Sequence, residues 1–476
     1  MTTKRSHLLT AGALLLATAA AGAAARGTSR APVAAPANHA TTFAAPTTGP
    51  VTFTGTLDRT AVLLGHDGLA RIELALAAAP DDAALHARRP TDVVIILDRS
   101  GSMSGEKIAH ARAAVRELLA QLGPQDRFAL VTYSDDARVA VPLSAVDERL
   151  RHAWLGAVDE IQTDGGTNMS SGLELGLDVI EHGRTDGRVP HVVLISDGLA
   201  NQGDASPEGL TRRARRAAQG EYMLSSVGVG DDFNEYLMTA LADAGTGNYY
   251  YVHDPRELGG VFAREFDAAR TTVAGGLSVQ IEPGPGVRVV DAAGYPLEAA
   301  GNAVVFRPGS LFAGQERRIW VTLAVPQQSV GEYELGRFSL AYGEPQSRHS
   351  LSFSDVPRIA CVQNEDQFYA NVDVSAWSRS VVVDGYNKMQ DEVARAVKEG
   401  SRDKALERVR EFKNETAAMN ARMRSAPVAG QLRSAEELEA RVSRAFEGAD
   451  QAARQNELSK STSSQAVDAR RAGSKK

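Results

Sequence analysis

The sequence predicts an α/β protein: a doubly wound, mostly parallel sheet inserted into a β-sandwich, with a helical hairpin after it. Three observations carry the prediction. Short, wholly apolar runs such as Val93 to Leu97 and Val192 to Ile195 alternate with helical stretches in the middle of the chain. Such strands are apolar on both faces because helices cover both. Short strand-like runs separated by Gly, Pro and Asn flank that region on both sides, as in an antiparallel sandwich. Toward the C-terminus, apolar residues recur in steps of three or four, the helical period.

The first residues read as an address. Lys4 and Arg5 precede an apolar run from Leu8 to Gly22, followed by A-x-A matches at Ala21 to Ala23 and Ala23 to Ala25. Residues 1–25 are therefore expected to be a signal peptide, cut close to residues 23–26. The alternative, an uncleaved anchor, is disfavoured because the run is short and Ala-rich against a span of about 20 residues. No cysteine follows it, so no lipid attachment is expected. The mature chain is expected to be exported, periplasmic or extracellular, with no membrane span. Residues 26–50, rich in Ala, Pro and Thr, are expected to be a disordered linker.

Residues 51–91 supply the first sandwich strands, at Val51 to Gly55 and Leu69 to Leu76. The central domain, 92–270, has strands at Val93 to Leu97, Phe128 to Tyr133, His191 to Ser196, Met223 to Val229 and Tyr249 to Val252. Helices are expected at Lys107 to Leu122, near 147–161, 170–182 and 207–219, at Asn234 to Ala244 and over 255–269. Residues 271–358 complete the sandwich, since an isolated hairpin would be marginal. Residues 359–458 are expected to be helical. Ala405, Val409, Phe412, Thr416, Met419 and Met423 form one stripe, and Leu438, Val442, Ala445, Ala449 and Ala452 another, with Pro427 and Gly430 between them. The stripes serve the chain's own core or a coiled-coil partner. The polar residues 459–476 are expected to be a disordered tail.

The chain's 476 residues exceed one ordinary domain. Its 52 basic and 59 acidic residues give a net charge of -7, without the basic excess of a nucleic-acid binder. One cysteine, Cys361, excludes an internal disulfide and a thiolate metal cluster. The ten histidines fall in no zinc-hydrolase spacing.

Ligands of doubly wound sheets bind beyond the strands' carboxyl ends. Two buried strands there run into carboxylates, Asp98 and Asp197. Ser100 and Ser102 follow Asp98, and the loop Gly165-Gly166-Thr167-Asn168 can bring the Thr167 hydroxyl. Two carboxylates and three hydroxyls are hard oxygen donors, suited to Mg²⁺, Mn²⁺ or Ca²⁺. Any one of these residues alone is an ordinary cap or turn former; the set is not. Catalytic patterns fail nearby. Met103 stands where a nucleophile elbow needs serine, there is no Walker A loop, and Gly228-Val229-Gly230 lacks a third glycine. Asn168 and Asn414 open formal glycosylation sequons; the first sits in the proposed metal loop and is read as chance.

Asp98-Arg99-Ser100-Gly101-Ser102, with Thr167 and Asp197, resembles the metal-ion-dependent adhesion site (MIDAS) of von Willebrand factor type A (VWA) domains, over about residues 92–270. The resemblance implies the Rossmann-like VWA fold and a divalent ion near Ser100, Ser102 and Thr167, with Asp98 and Asp197 bound directly or through water. It implies an open position for a partner protein's Asp or Glu. No base, nucleophile or cofactor loop accompanies the five donors, so no enzymatic activity is expected. The flanking sandwich is similar, more loosely, to secreted bacterial proteins of this superfamily, to inter-alpha-trypsin inhibitor heavy chains and to calcium-activated chloride channel-like proteins. Two other readings share the site: the metal-site subunit of an ATPase-associated, chelatase-like machine, and a metal-dependent enzyme.

Overall fold

The computed structural model describes residues 40–472, apart from 81–89, 186, 198–199, 231–233, 253, 345–346 and 449. The expected signal peptide lies outside the described residues. Before the central domain come β1 (Thr42–Ala44), β2 (Val51–Leu57), β3 (Ala61–Leu63) and β4 (Leu69–Ala78). Strand β1 corrects the end of the disordered linker expected over 26–50, of which 26–39 lie outside the described residues. Phe43 is buried there, and Phe43 pairs with Gly55 of β2. An apolar ring in a short strand escapes a reading by composition.

The central domain holds β5 (Thr91–Asp98), α1 (Glu106–Gln121), β6 (Arg127–Tyr133), β7 (Ala137–Ala145), α2 (Glu148–Asp159), α3 (Met169–His182), β8 (Val189–Ser196), α4 (Pro207–Gln219), β9 (Met223–Val229), α5 (Glu235–Ala244), β10 (Thr246–Val252) and α6 (Leu258–Arg270). The sheet order is β10-β9-β8-β5-β6-β7, parallel except for β7. Strand β5 is buried along its whole length. Its alternate residues feed two cores: Val93, Ile95 and Leu97 face α1 and α6, while Val94 and Ile96 face α3. The chain leaves β5 toward β6 and later returns to its other side as β8. The order reverses at β5, where such sheets bind ligands. The antiparallel edge strand β7 is half exposed and carries Pro142, so it lacks the apolar run that marks its neighbours.

Helix α3 lies close on the sheet because of Gly172. A Cβ there would stand 2.5 Å from the ring of Tyr133, which is fully buried. Gly172→Ala is expected to cost about 1–3 kcal/mol, the usual cost of overpacking. Denaturant unfolding at constant m-value is the check, and an unchanged midpoint would contradict it.

Helix α6 is fastened from inside by Glu265, which is 2% exposed. Its Oε2 accepts from Ser225 Oγ at 2.5 Å and meets His191 Nε2 at 2.5 Å. Its Oε1 accepts from Asn248 Nδ2 at 2.8 Å and Tyr250 OH at 2.5 Å. Burial alone would raise this carboxyl. The His191 imidazole and the hydroxyls outweigh it and hold the pKa down at about 2.

After α6 come β11 (Thr272–Pro283), β12 (Arg288–Ala292), β13 (Glu298–Ala300), β14 (Ala303–Phe312), β15 (Glu316–Ala324), β16 (Gly331–Glu334), β17 (Gly336–Gly343), β18 (Arg348–Ser352) and β19 (Arg358–Val362). One five-stranded sheet runs β1-β2-β4-β15-β12 and the other β13-β14-β11-β17-β18. Strand β4 pairs with β15 from Leu69–Ala324 to Ala77–Glu316, across the whole central domain. Phe53, Ile72, Leu74, Ile281, Phe306 and Phe338 share the core between the two sheets. A small third sheet, β16-β19-β3, borders them. Strand β19 corrects the helical start expected at 359: Ile359, Ala360, Cys361 and Val362 are a buried run paired with β3 and β16.

The C-terminal part holds α7 (Glu365–Ala370), α8 (Val374–Arg379), α9 (Tyr386–Lys398), α10 (Arg402–Met423), α11 (Ala426–Ala445) and α12 (Gln451–Ala472). The turn between α10 and α11 falls at Arg424, which is left-handed at φ 54°, and Ser425, which caps α11. Pro427 thus sits in the first turn of α11, where it needs no N–H, and Gly430 lies inside the helix. Ala405, Val409, Leu438 and Val442 are buried against this chain's own helices. The expected disordered tail over 459–476 is corrected up to Ala472, where α12 continues as helix. Ser459, Thr462 and Ser463 are buried, and Ser459 Oγ donates to Ala394 O at 3.0 Å. The Ser459 hydroxyl is thus satisfied inside the helical bundle, where the sequence offers few apolar residues.

Candidate metal centre

Strand β5 delivers Asp98, 0% exposed, to the rim. The chain turns at once, and Ser100 N–H donates to Asp98 Oδ1 at 2.8 Å. A short 3-10 turn, Gly101–Met103, follows, with Met103 plugged into the core beneath. Gly105 at φ 78° then admits the chain into α1. The next parallel strand, β8, delivers Asp197, which is 1% exposed. Asp197 Oδ1 accepts from Ser102 Oγ at 2.8 Å, and the Ser100 and Ser102 oxygens lie 3.1 Å apart.

The loop carrying Thr167 is stitched to both neighbours. Gly101 N–H donates to Gly165 O at 3.1 Å, and Asp164 N–H donates to Arg99 O at 2.9 Å. On the other side, Thr167 N–H donates to Asn201 Oδ1 at 2.8 Å. Gly165 is needed there: it stands at φ 68°, and a Cβ would come within 2.5 Å of Asp135 Oδ2. Asn168 caps α3, its Oδ1 accepting from Ser171 N–H at 3.2 Å, so this sequon's amide serves the loop. Asp98, Ser100, Ser102, Thr167 and Asp197 thus come from three stitched loops at one rim. Ser102 is exposed, while the other four are buried.

Asp98 is oriented from below. Its Oδ2 accepts from Ser196 Oγ at 2.7 Å and Tyr133 OH at 3.3 Å. Burial raises the Asp98 pKa and the Asp197 charge adds to the rise, while the Ser100 and Ser196 hydrogen bonds oppose it. Tyr133 is pushed well above its ordinary value, by burial first and then by the Asp98 charge, so it stays a phenol donor. Arg99 lies outside this arrangement and pairs with Asp164 at 3.3 Å.

The sequence reading missed three members of the site. Ser196 and Tyr133 end strands beside Asp98, and their strand-end positions were the available signal. The third is Lys107, in the first turn of α1, whose Nζ pairs with Asp197 Oδ2.

The donor set fits a hard divalent ion. Among the described residues there is no group of three or more His, Cys, Asp or Glu side chains placed to hold a metal ion. The candidate here has two carboxylates supplemented by hydroxyls. Neighbouring vertices of an octahedron with bonds of about 2.0–2.1 Å lie about 3 Å apart. The Ser100–Ser102 and Ser102–Asp197 separations of 3.1 and 2.8 Å match that edge.

The VWA family model matches residues 92–264. This segment is a von Willebrand factor type A domain. VWA domains commonly bind partner proteins, and many do so through a divalent ion. An uncharacterized protein of Synechocystis sp. is 24% identical over 331 residues, covering 67% of this chain and 77% of its own length. The uncharacterized protein YfbK of Escherichia coli is 32% identical over 197 residues, 41% of this chain and 34% of that protein. The human inter-alpha-trypsin inhibitor heavy chain H4 is 30% identical over 162 residues, 32% of this chain and 17% of that protein. The chain thus spans well under half the length of the last two. Among solved structures, a von Willebrand factor type A protein from Catenulispora acidiphila superposes with a TM-score of 0.64 at 17% identity, covering 89% of this chain and 98% of that one. The ArnB paralog VWA2 from Sulfolobus acidocaldarius gives 0.51 at 15% identity, covering 87% and 98%. At such identities the likeness is one of fold, and it extends beyond the VWA domain into the flanking parts.

Proposed function

We propose that the VWA rim is a metal-ion-dependent adhesion site, holding Mg²⁺, Mn²⁺ or Ca²⁺ through Asp98, Ser100, Ser102, Thr167 and Asp197. Its role is to join this exported envelope protein to the Asp or Glu of a partner protein. The carrying observation is the assembly of all five oxygen-bearing residues on three stitched loops, with Ser102 open to solvent. A divalent ion there supplies a Lewis-acid position that a carboxylate can fill. The charges favour that step. Asp98 and Asp197 bring two negative charges and Lys107 one positive, so a bound divalent ion leaves the site with a net positive charge facing solvent. An acidic side chain neutralises it without any catalytic base, so the role is binding rather than catalysis. Among the described residues, no helix is long and apolar enough to cross a membrane.

The test is a pull-down from an envelope fraction with wild type, Thr167→Ala and chelated protein. The expected result is a set of partners present with wild type and absent from the other two samples. The same partners in all three samples would sink the proposal and move the interaction surface elsewhere.

A further inference from the structure

Lys107 stands out because it already supplies a cation where the site is built to hold one. The Asp197 side chain is fully buried, and both its oxygens are engaged: Oδ1 by the Ser102 hydroxyl, Oδ2 by the Lys107 ammonium. Among the described residues, no other cationic side chain pairs with Asp98 or Asp197. The far end of the lysine is held in place. Its side chain is 27% exposed, and it grows from the first turn of α1, whose N-terminal end is itself positive. The stem runs against bare backbone at the end of β9. A Cβ at Gly230 would stand 3.3 Å from Lys107 Cε and 3.5 Å from Nζ. A buried carboxylate without a counter-charge is costly, so the ammonium stabilises the rim as it stands. The same positive charge repels a divalent ion a few Å away.

We infer that Lys107 is a tethered counter-ion that keeps Asp197 in place without metal and competes with the divalent ion for it. This rests on the proposed metal site and deepens it. Lys107 is neither an idle surface lysine nor a group that merely aims Asp197 at the metal. It sets the affinity low, so that loading of the rim tracks the surrounding concentration of divalent ion.

The test uses the full chain with Mn²⁺ as the probe, followed by titration calorimetry, and thermal unfolding in chelator. Lys107→Met is expected to bind Mn²⁺ at least about tenfold tighter than wild type, a conservative reading of the repulsion between a unit charge and a divalent ion. In chelator, the same variant is expected to melt roughly 3 °C or more below wild type, because Asp197 has lost its counter-charge. Lys107→Arg keeps the charge and is expected to bind Mn²⁺ no tighter than wild type. If wild type binds Mn²⁺ and Lys107→Met binds it equally or more weakly, the competition is refuted while the metal site stands. If neither protein takes up Mn²⁺, the metal-site reading falls and the competition with it. An unchanged melting point in chelator would refute the counter-ion role itself.

Discussion

Asp98→Asn is expected to weaken Mn²⁺ binding by more than about a hundredfold, beyond the roughly 10–100-fold typical of groups that only orient a ligand. Titration calorimetry measures it directly. Asparagine is the informative replacement because Asp98 also holds structure together. Its carboxylate takes hydrogen bonds from Ser100 N–H, Ser196 Oγ and Tyr133 OH. The oxygen of the introduced amide can still accept from Ser100, and its NH₂ can donate to the two hydroxyls once they rotate. Asp98→Ala strands all three donors in a buried site, at a cost of about 1–3 kcal/mol. A crossover in stability is expected as well. Burial raises the Asp98 pKa, so the ionised side chain strains the metal-free protein at neutral pH. Asp98→Asn should therefore melt at or above wild type in chelator. In excess Mn²⁺ it should melt below wild type, which alone gains binding free energy from the ion. Equal Mn²⁺ affinity in the two proteins would remove Asp98 from the site.

Glu265→Ala is expected to cost about 3–5 kcal/mol, the loss seen when one partner of a buried pair is removed. His191, Ser225, Asn248 and Tyr250 all turn to this one carboxylate, and the alanine leaves them without it. The pH dependence has a definite sign. The folded pKa, about 2, lies below the ordinary 4.5. The stabilisation is therefore complete above pH ~4.5 and is lost as pH falls from there toward ~2. Urea unfolding at pH ~7 and through that acid range is the measurement. Glu265→Gln, which does not ionise, should flatten this part of the acid profile. A variant with the wild-type profile would show that the cluster contributes nothing through charge.

The sequence resolved what depends on local pattern. Met223 to Val229 and 207–219 were placed with the ends found in β9 and α4, because Gly220 and Gly230 punctuate them. The rim was equally legible, since strand-end carboxylates followed by small hydroxyl residues are a pattern in the chain itself. What escaped depends on partners distant in sequence. Strand β7 has too few buried residues to announce itself. The helical course of 459–472 is anchored by the Ser459 hydroxyl, which finds its acceptor only once α9 is beside it. Lys107 is one of nine lysines in the chain, and its role emerges only when the fold puts it on Asp197. Even its effect on the site's charge, which lowers the count from two negatives to one, could not be read from the donors alone.

The pairing of β4 with β15 has a consequence for the order of events during synthesis. Ala77 lies against Glu316, so the host sheet cannot close until the whole guest domain between them has emerged. Until then β2 and β4 form little more than a hairpin, which is marginal in water, with the edge awaiting β15 unprotected. The guest has no such wait, because its sheet closes on segments within it. Once folded, it turns a very long loop into a short, stiff connection and lowers the entropic cost of bringing β15 back to β4. Folding is thus nested, guest before host. A lesion in the guest's core, such as the loss of Glu265, would surface first as a sandwich that fails to assemble and as chains caught through that open edge.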